Sequence, residues 1–228
     1  MHAKAPEKPS FLRIVVFIDG QNFYNDCKKL FSNGETYPHL LGKELCSARF
    51  GDKRELKQVR FYTGIHTPNR KPKMHAYMTR RLELMKRTGV WVFARPLKYS
   101  LQWIKNRDDG PAFIEIMQGR EKGVDVRLAL DLVRLAVEGE YDVAVIISTD
   151  TDLDEAIRDV LELRDQTAKW LAVENAVCVP PLNPATGRRP PFKRLRSAPR
   201  LLHIDQEIFD RIRDDTDYWL DDSDADAE

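Results

Sequence analysis

The sequence predicts an α/β protein with a mainly parallel central sheet, helices on both faces and a β-hairpin insertion. Three observations predict it. Short apolar segments rich in Val, Ile, Phe and Trp alternate with longer stretches of helical periodicity, and strands separated by helices need crossover connections that leave them parallel. Gly89 and Gly139 close two of the helical stretches, in the position where a left-handed residue ends a helix. Two apolar runs finish on acids, Asp19 and Asp150, and open α/β sheets bind ligands at the carboxyl ends of their strands.

Residues 1–10 read as a flexible N-terminus. The run FLRIVVFIDGQN over 11–22 is a strand at 12–18 that ends on Asp19 and breaks at Gly20. Helical patterns follow at 22–31 and 40–48, a strand at 57–63, a longer helix at 68–88 and a strand at 90–96. Residues 97–118 carry Tyr99, Trp103, Phe113 and Ile116 around the turn-like stretch 106–111, the pattern of a hairpin or flap. The helix expected at 124–137 is apolar around most of its circumference, which predicts burial between layers. A strand at 142–148, a helix at 152–165 and a strand at 169–174 complete a domain expected over 11–176. Residues 177–200 hold six prolines and six Lys or Arg with no acid, an irregular basic loop expected to be disordered or ordered against an anionic partner. An edge strand and short helix are expected within 201–213, and an acidic tail over 214–228.

A chain of 228 residues suits one large domain or a domain with an appendage. Cys27, Cys46 and Cys178 form no CxxC pair, which argues for a reducing compartment. His2, His39, His66, His75 and His203 are scattered singly, without an HExxH, so a zinc site is disfavoured. The N-terminal apolar run is too short for a signal peptide or membrane span. A cytoplasmic protein with no membrane partner is the expectation.

The net charge of +1 hides a polarised chain. Between residues 53 and 107 fifteen Lys or Arg face two acids, and from residue 205 onward eleven acids face two arginines. Asp19, Asp125, Asp150 and Asp152 are expected to converge on one edge of the sheet. Crowded carboxylates raise each other's pKa unless a cation neutralises them, and oxygen-only donors favour Mg2+ or Mn2+ over zinc. A basic face beside such a cluster is what cleavage of a phosphodiester polyanion requires.

The motifs FIDGQN, KGVD and STDTDL, in this order and at these strand ends and helix start, resemble the NYN domain, a branch of the PIN-like nuclease superfamily that includes LabA-like bacterial proteins. The resemblance implies a Rossmann-like α/β/α sandwich and metal-dependent cleavage of RNA. It places metal-binding or catalytic acids at Asp19, Asp125, Asp150 and Asp152, with Asn22 beside the first. Asp19 and Asp150 are the expected primary ligands, while Asp125 and Asp152 bind through waters or complete a second ion. Lys122 and Arg120 are expected to hold a phosphate, and Trp103 to stack on an unpaired base. Two departures stand out: Thr149 replaces the glycine common before the last acids, where its β-branch resists a tight turn, and Leu153 replaces an aromatic.

Asp131 lies about 240° around the helix from Asp125 and is expected to pair with Arg127 or Arg134. Asp154 and Glu155 suit a helix first turn; Trp91 and Trp170 read as core. No glycine-rich phosphate loop or nucleophile elbow supports a dinucleotide enzyme or a serine or cysteine hydrolase. The competing classes are a non-catalytic RNA-binding or scaffold protein on the same fold and a toxin nuclease held by a partner. RNA is the expected partner, with DNA second and a homodimer as a further expectation. The acidic tail is expected either to cover the nucleic-acid groove or to serve as a solubilising appendage or partner-binding segment.

Overall fold

The computed structural model describes residues 6–47, 53–105, 113–167 and 169–219, the side chains of 102–117 excepted. Its centre is a six-stranded sheet built from β1 (Leu12–Asp19), β2 (Arg54–Ile65), β3 (Trp91–Pro96), β6 (Val143–Ile147), β7 (Ala172–Cys178) and β8 (Arg200–Ile204), in the order β3-β2-β1-β6-β7-β8. Every neighbouring pair is parallel. The chain lays down β2 and β3 on one side of β1, then crosses to the other side for β6, so strand order reverses between β1 and β6. Crevices open at such reversals, outside the strand carboxyl ends.

Side chains alternate across β1. Ile14, Val16 and Ile18 enter one core, with residues of α1 (Gly20–Phe31), α2 (Pro38–Cys46), α3 (Pro72–Arg87) and α6 (Gln206–Ile212). Val15 and Phe17 enter the other, with residues of α4 (Val124–Glu138) and α5 (Asp154–Thr167). A strand buried on both faces must be apolar throughout, and each such Val, Ile or Phe contributes roughly 1.5–3 kcal/mol of burial.

The insertion is an antiparallel pair, β4 (Lys98–Lys105) and β5 (Phe113–Arg120); the turn expected at 106–111 lies outside the described residues. Trp103 faces Glu115 in the β4–β5 register, and its side chain also lies outside them. Among the described residues no helix is long and apolar enough to cross a membrane.

Four expectations need correction. The last central strand runs to Cys178 and starts at Ala172, later than 169–174, because two buried polar residues disguise it. Glu174 is neutralised by Arg54 and Arg200, and Asn175 is fully hydrogen-bonded. Helix α4 is not enclosed: Leu128, Leu132 and Ala136 are buried, yet Val126, Leu130 and Val137 are exposed, since a sheet covers only one side of it. The segment 179–199 is irregular but tied into the protein by its own contacts. Finally, the excess of cations over 53–107 is not one face. Arg54 is buried against Glu174 near the start of β2, and Arg60 is buried against Asp131, whereas Arg70, Lys71, Lys73, Arg95 and Lys98 are exposed at or beyond the carboxyl ends of β2 and β3.

The acidic end, as far as it is described, does not enter the crevice. Asp214 is buried and accepts from Tyr218 Oη at 2.7 Å, Arg80 donates to the Tyr218 carbonyl, and Trp219 packs on Tyr77 with ring centroids 4.6 Å apart. Truncation after residue 213 removes this anchor. The truncated protein is expected to lose about 2–4 kcal/mol, the cost of deleting a large buried side chain with its hydrogen bonds, read as an earlier urea midpoint; an unmoved midpoint would show that the anchor carries no stability.

Candidate metal centre

Asp19 is the last residue of β1 and the N-cap of α1, its Oδ1 accepting from Asn22 N–H at 3.1 Å. The turn between strand and helix demands Gly20, because a Cβ there would come within 2.5 Å of the Phe61 ring and 2.9 Å of the Tyr62 carbonyl. Across the strand reversal, Ser148 follows β6. Its hydroxyl donates to Asp19 Oδ2 at 3.0 Å and accepts from Asp150 N–H at 3.1 Å, joining the two acid-bearing turns. Asp150 in turn caps the short 3-10 turn Thr151–Leu153 by accepting from Asp152 N–H.

Thr149 causes no strain in this turn. Its N–H and hydroxyl both donate to Asn22 Oδ1, at 2.9 and 3.1 Å, and its φ is not positive. A glycine there would lack the second bond. Asn22 therefore braces α1 against the β6 turn while lining the crevice. Leu153 is buried in the core.

Asp125 opens α4 behind Gly123, whose φ of +74° is the left-handed conformation that glycine adopts freely. A Cβ there would also meet the Arg95 guanidinium at 2.5 Å. Asp125, Asp150 and Asp152 each present a carboxylate oxygen within 4.8 Å of the other two. Asp19 lies beside this trio and not within it. Burial pushes its carboxyl above the ordinary value against the pull of Asn22 and Ser148, and the charges of Asp150 and Asp125 push the same way.

Sequence reasoning missed Glu121. It sits between β5 and α4, one of its oxygens buried without a hydrogen-bond partner. Desolvation, followed by the nearby charge of Asp19, pushes its carboxyl up to about 7. The signal in the sequence was an acid two residues before the glycine of KGVD, overlooked between Arg120 and Lys122. Those two cations are exposed; Arg120 is already engaged, and the Lys122 carbonyl accepts from Arg95 at 3.2 Å.

None of the five acids takes an ion-pair partner among the described residues. Asp131 shows the contrast, held by Arg60 at 2.9 Å, Arg127 at 3.1 Å and Arg134 at 3.2 Å, with Tyr62 donating as well. Asp154, first in α5, accepts from Ser197 N–H at 3.0 Å. Uncompensated carboxylates at one point fit a hard divalent ion held by Asp125, Asp150 and Asp152, with Glu121, whose buried oxygen has no hydrogen-bond partner, and Asp19 nearby.

The Glu121 carboxyl gives a pH test in the metal-free protein. Its folded value lies above the unfolded one near 4.5, so the neutral form favours the fold: that contribution is complete at low pH and is lost as pH rises through about 7. Glu121→Gln cannot ionise. Its melting temperature is expected to match wild type near pH 4.5 and exceed it at pH 8, and a divalent cation is expected to narrow the gap; parallel pH profiles would refute this.

Parallel strands, helices on both faces and acids at the strand reversal make this a PIN-like form of the Rossmann-type α/β fold. The chain belongs to the NYN domain family, whose model matches residues 13–176. That family places it among PIN-like nucleases. The crystal structure of a Vibrio parahaemolyticus protein described as of unknown function is similar in fold, with 18% identity, a TM-score of 0.52, and coverage of 88% of this chain and 98% of that one. No curated protein matches the chain.

Proposed function

We propose that this protein is a metal-dependent phosphodiesterase that cleaves RNA, with Mg2+ or Mn2+ as its ion. The observation that carries the reading is the trio Asp125, Asp150 and Asp152, mutually within 4.8 Å and uncompensated at the strand reversal. A bound divalent ion supplies charge neutralisation and a water of lowered pKa for in-line attack. The protein's own part is placement. Ser148 and Asn22 fix the two acid-bearing turns against each other, Glu121 and Asp19 add negative charge beside the trio, and the cations at the carboxyl edge offset repulsion of the incoming phosphates.

The test is incubation of the purified full chain with end-labelled single-stranded RNA and DNA in Mg2+, Mn2+ or EDTA. Metal-stimulated shortening of RNA is expected. Persistence of intact RNA under all metal conditions would favour a non-catalytic RNA-binding role.

A further inference from the structure

The segment between β7 and β8 lies beyond the part of the chain that matches the family, yet it walls the candidate metal centre. Phe192, Lys193, Arg194 and Arg196 line a cleft of about 930 Å³ together with Asn22, Thr149, Asp150 and Thr151. The protein holds this wall by itself. Leu195 and Ala198 are buried in the α4–α5 core, Leu195 N–H donates to Asn175 Oδ1 at 2.9 Å, and Ser197 N–H donates to Asp154 Oδ1. The Asn175 amide also donates to the Ser148 carbonyl at 3.0 Å. One buried side chain therefore sets the distance between the basic wall and the turn that carries Asp150.

Anchoring at Leu195 leaves the charged neighbours outward. Lys193, Arg194 and Arg196 are exposed, and neither arginine has an ion-pair partner among the described residues. Lys193 lies near Asp26. Arg194 and Arg196, facing a carboxylate that repels phosphate, have no ion pair to keep them there.

We infer that this strap is the strand-holding wall of the site: Lys193, Arg194 and Arg196 grip successive phosphates of a single polynucleotide strand and present the next phosphodiester to Asp150 and its neighbours. The inference rests on reading the acids as a phosphodiesterase centre. A volume near 930 Å³ lies within the small-ligand range of about 300–1,000 Å³. It has room for a few nucleotides of one strand.

Binding is measured by fluorescence anisotropy in EDTA, so that turnover does not intervene, with the full chain and 12-nucleotide RNA, 12-nucleotide DNA and duplex RNA. Lys193→Ala/Arg194→Ala/Arg196→Ala is expected to bind the single strands at least tenfold more weakly with an unchanged melting temperature. The slope of log affinity against log salt is expected to shrink by about 2, at roughly 0.7 per phosphate contact on single strands. Arg194→Gln and Arg196→Gln, each expected to weaken binding about threefold, carry the test should the triple variant misfold. The RNA and DNA arms separate the two strand chemistries. Equal binding by the variants, or a wild type that holds duplex as tightly as single strands, would overturn the inference. A wild type that cuts RNA while the variants bind undiminished removes the strap and leaves the nuclease. Strap-dependent binding without metal-stimulated cleavage does the reverse, and a wild type that neither binds nor cuts removes both.

Discussion

Asp150→Asn is expected to lower the rate of metal-stimulated RNA cleavage by on the order of a thousandfold or more, with the loss in kcat rather than in substrate affinity. The amide keeps the shape and still accepts from Asp152 N–H, so the 3-10 turn that this residue caps is retained. What it loses is the charge that, with Asp125 and Asp152, draws a cation to one point. Removing a negative charge that faces a polyanion also predicts RNA binding at least as tight as wild type in EDTA. Metal-free stability is expected to hold or rise, because repelling carboxylates lose one member and functional sites store such strain. A variant with undiminished kcat would place the chemistry elsewhere in the protein or in a contaminant.

Asp131→Ala is expected to destabilise the fold by about 3–5 kcal/mol, the cost of leaving a buried partner charge uncompensated. Asp131 is 1% exposed and Arg60 is 4% exposed. The Arg60 guanidinium lies 3.7 Å from the centroid of the Trp91 ring and also donates to Tyr62 Oη. Burial alone would raise the Asp131 pKa, but the hydrogen bond from Arg127, the Arg60 charge and the Tyr62 hydroxyl together hold it below the usual carboxylate range. Without the carboxylate, Arg60 and Tyr62 keep as hydrogen-bond partners among the described residues only each other and Gln58. Urea unfolding measures the effect: a shift in midpoint at constant slope is expected, and a shift equivalent to less than about 0.5 kcal/mol would refute it. Because this network pins α4 against β2, activity is expected to fall as well, through displacement of Asp125 at the start of the helix.

The residues themselves explain what could be read in advance. Asp19, Asp125, Asp150 and Asp152 were legible because each sits beside a local signal, a strand end or a helix start, and strand polarity sends such positions to one edge. Glu121 carried no comparable signal, since its part depends on Gly64 and Asp19, both remote in sequence. Asp131 was rightly set apart by its position around α4, but Arg60, 71 residues away, could not be foreseen. The end of β7 was obscured by Asn175, a polar residue satisfied only by a neighbouring strand and by the strap. Charge counting along 53–107 misled for a related reason: a tally along the chain ignores which cations are consumed by buried acids, whereas Arg194 and Arg196, in a stretch expected to be disordered or ordered against an anionic partner, stand at the cleft.

The hydroxyl of Ser148 reaches Asp19 across 129 residues of chain, and the contact exists only because β6 docks beside β1. During synthesis, a polypeptide that has emerged as far as β5 owns Asp19 but neither Glu121 nor the turns that complete the constellation. A partly made chain therefore has no assembled acid cluster, and the cluster arrives with the pairing that closes the fold.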